Sequence, residues 1–156
     1  MNDIVNRVIS LLKKRENSVL TYDFKVKNPY SKEDFLKNQV IHIREMNVII
    51  LHKLLNLEEN HFVSWVLDGL QYGIDFHFHL SSSMYQLIPL ELTKWPIQIY
   101  NEKNQKIIIC SEKAITYQRM MSFTDGSILI RTQSQIITAL ADEAREKKQI
   151  NVIERF

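Results

Sequence analysis

The chain predicts an α+β fold: N-terminal helices packed on a mainly antiparallel β-meander, closed by a C-terminal helix. Apolar residues recur at helical spacing through residues 4–12 and 35–70. Short β-type runs separated by turn residues follow Gly73. The regular strand–helix alternation of a parallel, doubly wound sheet is not legible, and that favours the segregated arrangement. At 156 residues the chain fits one globular domain, residues 1–156, large enough to bury a core without disulfides or a structural metal.

Taken in order, Ile4, Val5, Val8, Ile9, Leu11 and Leu12 form an apolar stripe. Asp3 precedes it and Lys13, Lys14 and Arg15 follow, as a helix dipole prefers. The first helix is expected to pack that stripe on the domain. Residues 18–27 then alternate Leu20, Tyr22, Phe24 and Val26 against Thr21, Asp23, Lys25 and Lys27, the period of a half-buried strand. "NPYSKED" breaks the pattern and offers Ser31 as an N-cap.

From Phe35 to Leu57 the apolar positions fit a long core helix with Asn47 at a polar point of its seam. The β-branched run from Val40 to Ile43 leaves a strand open there. A capping pattern at residues 56–59 introduces another helix, through Phe62, Val63, Val66, Leu67 and Leu70, that carries Trp65. After Gly73, residues 74–80, 85–92, 96–101, 106–111, 115–123 and 127–132 read as strands. "YNEKNQK" and "FTDGS" read as turns, the Asp125-Gly126 pair as a hairpin signal. A helix over 134–148 and a strand-like tail, "INVIERF", close the chain.

Lys and Arg number 20 against 18 Asp and Glu, spread evenly, so no basic half exists to concentrate affinity for nucleic acid. No run approaches the ~20 apolar residues of a membrane span, and the N-terminus lacks the order of a secretory signal. The expected compartment is the cytoplasm, with no membrane partner. Glycines at only 69, 73 and 126 provide neither a P-loop nor a dinucleotide fingerprint.

One stretch bears metal-type residues. In "GIDFHFHLSSS", a strand places Asp75, His77 and His79 on one face, with the two histidine Cα atoms about 7 Å apart. Two imidazoles so placed can reach one zinc ion, with Asp75 as a third ligand or an outer acceptor. Asp75-x-His77-x-His79 resembles the opening motif of amidohydrolase and polymerase-histidinol-phosphatase metallohydrolases. That resemblance implies a large barrel with further ligands on later strands, whereas no histidine follows His79. Cys110, in "KIIICS", reads as a buried small hydrophobe.

No complete catalytic constellation emerges, so the predicted function is a non-enzymatic protein-binding module. It would act by occupying a partner protein's surface, as an inhibitor, immunity-type or chaperone-like accessory protein does. No cofactor is implied. The expected binding residues are Trp95, held extended by Pro96, and Tyr100. One alternative is a metal-dependent hydrolase or nuclease using the His77/His79 strand and a divalent metal such as zinc. Another is a nucleic-acid-binding accessory protein using Tyr22, Phe24, Lys25 and Lys27, or Tyr117 with Arg119.

Overall fold

The computed structural model describes residues 2–25 and 30–156. Val26, Lys27 and the start of the "NPYSKED" break lie outside the described residues. The chain divides into two compact units, Met1–Phe78 and His79–Phe156.

In the first unit the order is α1 (Asn2–Glu16), β1 (Val19–Asp23), α2 (Glu33–Lys37), β2 (Val40–Met46), α3 (Val48–Leu55), α4 (His61–Gln71) and the start of β3 (Asp75–Leu80). β1 and β2 pair in parallel, from Val19↔Val40 to Asp23↔Arg44. β3 follows β2 in the sheet order. The Asp75 N–H donates to the Gln39 carbonyl, and His42 stacks on His77. Two helical crossovers therefore link three strands, because parallel neighbours cannot be joined by a tight turn.

The predicted long helix from Phe35 to Leu57 is three elements. Asn38 ends α2: its side chain donates to the Asp34 carbonyl and accepts from the Ser18 hydroxyl. The β-branched run becomes β2, with Ile41 and Ile43 fully buried. Asn47, read as a seam position, is the N-cap of α3 and accepts from the Ile50 N–H. Asn60 caps α4 in the same way through the Phe62 N–H. Phe62, Trp65, Phe76 and Phe78 then pack as an aromatic core between α4 and β3.

α1 departs from expectation in a different way. The helix is where the periodicity puts it, but it buries none of its residues. It is tethered at its C-terminal end, where Arg15 donates from Nε to the Phe35 carbonyl at 2.9 Å and from Nη2 to the Tyr72 carbonyl at 3.0 Å.

The second unit continues through two 3₁₀ segments, Ser82–Leu87 and Leu90–Lys94, where a strand over 85–92 was expected. β4 (Ile97–Asn101) and β5 (Lys106–Ile109) form an antiparallel hairpin. Buried Asn101 accepts from the N–H groups of Lys103 and Gln105 and donates to the Tyr85 hydroxyl and Gln105 Oε1. Then come β6 (Ala114–Ile115), α5 (Tyr117–Met121), β7 (Ile128–Thr132), β8 (Ile136–Ile137), α6 (Ala139–Lys147) and β9 (Asn151–Arg155).

The sheet order in this unit is β4-β5-β7-β9, and both β5–β7 and β7–β9 are parallel. β6 and β8 make a separate parallel pair. Asp125-Gly126 is thus not a hairpin turn. It leads from α5 into β7, with Gly126 at φ +70° and its N–H donating to the Lys148 carbonyl.

These pairings correct the expected α+β meander with N-terminal helices: the fold is α/β, with mostly parallel strands and intervening helices. The physical reason shows in β7, where Ile128, Leu129 and Ile130 are all buried in succession. A parallel strand covered on both faces needs a continuous apolar run, not alternation.

Candidate functional site

On β3 the alternation is strict. Phe76, Phe78 and Leu80 are buried, while Asp75, His77 and His79 are half-buried on the opposite face. In the first unit, His77 Nε2 lies 3.2 Å from Asp75 Oδ2. His42, delivered by β2, stacks on His77 with ring centroids 4.6 Å apart and an interplanar angle of 29°. Burial holds the His42 pKa below the ordinary imidazole value; the nearby His77 and Arg44 act in the same direction, and Asp75 opposes them.

In the second unit, His79 stacks on Tyr100 of β4 at 5.4 Å, and the Tyr100 hydroxyl donates to Gln98 Oε1. Among the described residues no group of three or more His, Cys, Asp and Glu side chains has a metal-holding arrangement. Asp75, His77 and His79 therefore share a face of β3, and their interactions include the Asp75–His77 contact and the ring stacks of His77 on His42 and His79 on Tyr100.

Trp95 is half-buried and extended, with φ −99° and ψ 144°, as a residue before proline should be. It borders a cleft of about 310 Å³ whose other walls include Leu92, Ile97, Ile109, Lys106 and Arg119. Tyr100 is not among the residues of that cleft. The two expected binding residues thus occupy different settings, Trp95 at the cleft and Tyr100 against His79.

The remaining candidates are engaged locally. The Tyr22 hydroxyl donates to Asp34, and burial drives its pKa well above the usual phenol value. Lys25 pairs with Glu45 at 2.7 Å, and Phe24 packs edge-on against Phe62. Arg119 pairs with Glu112 at 2.9 Å and lies over the Phe123 ring. The Cys110 thiol is pushed up to about 11, first by burial and then by the Glu112 carboxylate. It is a thiol, not a thiolate, at neutral pH.

The feature that sequence reasoning missed is the face of α1. Ile4, Val5, Val8, Ile9, Leu11 and Leu12 are between 44% and 71% exposed. The stripe was visible as periodicity, but periodicity reports which residues share a face and not whether another element covers it.

The sequence matches the family described as "Putative propanediol utilisation" (PDU_like) over residues 3–151, and the chain belongs to that family. No curated protein and no solved structure matches it. No described helix is long and apolar enough to cross a membrane.

Proposed function

We propose that this member of the propanediol-utilisation family is a protein-binding accessory module without chemistry of its own, serving that pathway by seating the apolar face of α1 on protein. The observation that carries the reading is the exposure of six large apolar side chains along a helix that buries none of its residues. A contiguous exposed patch of this kind on a folded protein marks an interaction surface. Covering side chains that are already about half exposed is worth on the order of 1 kcal/mol each before association costs are subtracted.

Support also comes from the sites that chemistry would need. The one cysteine is held protonated at neutral pH and offers no thiolate nucleophile. The test is affinity capture from cell extract with the tagged wild-type chain and with an Ile4→Ser, Leu11→Ser variant. The expected result is a discrete protein set recovered only with the wild type. Recovery of the same set with both chains would refute docking through α1.

A further inference from the structure

We infer that the cleft beside Trp95 in the second unit binds a small organic anion, a carboxylate or phosphate head on a flat apolar body. The site is separate from α1 and does not depend on how that helix docks.

Strand geometry assembles the cleft. Tyr100 and Lys106 are partners in the β4–β5 register. The two-residue period then places Gln98, Lys106 and Ile108 on one face of the hairpin, opposite buried Ile99 and Ile107. α5 covers part of that face, where its Met120 and Ile108 of β5 belong to one apolar cluster. Arg119, next to Met120, lines the cleft from α5, and Trp95 lines it from the segment ahead of β4. At about 310 Å³ the space suits a small ligand, since such sites run from roughly 300 to 1,000 Å³.

The lining names the ligand's chemistry. It holds two cations, Lys106 and Arg119, and no carboxylate. The chain as a whole is nearly balanced, with 20 Lys and Arg against 18 Asp and Glu, so a lining of one sign is a local property. Lys106 is half-buried and forms no ion pair among the described residues. An ammonium in that position is matched by an anion brought from outside. Arg119 is held ready by Glu112, 2.9 Å from its Nε, and by the Phe123 ring, 5.1 Å from its central carbon. Glu112 engages one edge of the guanidinium, whose five donors can serve a second acceptor. The half-buried Trp95 indole and Ile108 supply apolar walls for a flat body, on which an aromatic ring gains stacking as well as burial.

The experiment is titration of the full chain with benzoate, phenyl phosphate, neutral benzamide and inorganic phosphate, followed by proton–nitrogen NMR. Saturable shifts centred on the Trp95 indole N–H and Ile108 are expected with benzoate or phenyl phosphate, at a Kd on the order of 1 mM. The tighter of the two identifies the head group. Benzamide and inorganic phosphate should bind at least about tenfold more weakly, because one lacks the charge and the other the ring. Lys106→Gln and Arg119→Gln should each weaken the tighter anion about five- to tenfold, while Lys94→Gln, exposed and outside the lining, leaves it unchanged. Arg119→Gln also releases Glu112, so Lys106→Gln, which breaks no described ion pair, decides where the two disagree.

No saturable shift with either anion at about ten times that concentration overturns the inference. So do shifts centred away from Trp95, or a Lys106→Gln chain that binds as wild type does. Equal affinity for benzamide would make the cleft a purely apolar one, and equal affinity for inorganic phosphate a diffuse cationic patch; either result overturns it too.

Discussion

Replacing Gly69 with alanine tests how tightly α4 is seated on the first unit. In an exposed helix interior the change would stabilise by about 0.8–1.0 kcal/mol, because alanine is the better helix former. Here a Cβ at position 69 would lie 2.6 Å from Phe76 Cζ, 2.8 Å from Phe76 Cε2 and 3.0 Å from Phe35 Cε1. Carbon atoms in good contact sit about 3.5–4.0 Å apart, so the overlap with the Phe76 ring is about 1 Å. That ring cannot swing away cheaply: it is fully buried, with Trp65 edge-on at 5.5 Å and Phe78 at 6.1 Å.

Overpacking of this kind costs about 1–3 kcal/mol, and the confined ring places it toward the upper end. After the propensity gain, a net loss of about 1–2 kcal/mol remains, or a melting point lower by roughly 2–8 °C. The assay is urea unfolding followed by circular dichroism, with Ser64→Ala on the exposed side of α4 as a control expected to stabilise slightly. Phe76→Leu in the Gly69→Ala background should recover part of the loss relative to Phe76→Leu alone, since the two sites touch. A Gly69→Ala midpoint equal to or above wild type, with an unchanged denaturant slope, would refute the reasoning.

Two further outcomes follow from titration. The folded state disfavours His42 protonation. The unfolded chain therefore takes the proton first, so this stability is present above the ordinary imidazole pKa and is lost as pH falls through the lower folded value. His42→Gln should flatten the urea-midpoint profile between pH 7 and 5, and an unaltered slope would show that other groups set it. Cys110, buried and titrating at about 11, should react slowly with a thiol reagent at pH 8 in the native protein and at once in urea. Rapid stoichiometric labelling of the folded chain would contradict that placement.

Elements whose signal is local could be read from the sequence. The stripe from Ile4 to Leu12 gave α1, strict alternation gave β3, and the polar run after Tyr100 gave the β4–β5 hairpin. The parallel order could not be read, because its crossovers are short. α2 and α5 have five residues each, too few to show a helical period between strands. Residues 35–57 misled because Leu36, Val40 and Ile43 fit a helical spacing as readily as they fit the end of a helix followed by a strand. Asn38 and Asn47 mark the two breaks, but each acts through a hydrogen bond that only the folded chain displays.

The same division holds for the candidate sites. That Asp75, His77 and His79 share a face follows from the two-residue period of a strand. That His77 meets His42 and His79 meets Tyr100 follows from which strand lies beside which, and no local pattern carries that information.

α1 is the sharpest case, because its periodicity is the same whether its stripe is covered or bare. The first unit buries Phe35, Ile41, Ile43, Leu51, Leu54 and Phe76 completely, and α1 adds no buried side chain to that core. Fifteen residues are thus ordered in a helix whose apolar side chains stay about half exposed, although ordering a backbone costs about 1–2 kcal/mol per residue and a helix of this length is marginal in water. Propensity and the Arg15 tether offset part of that cost. If α1 docks on a partner protein as proposed, it should be more protected from hydrogen exchange in that complex than in the free chain, and equal protection in both would count against the docking.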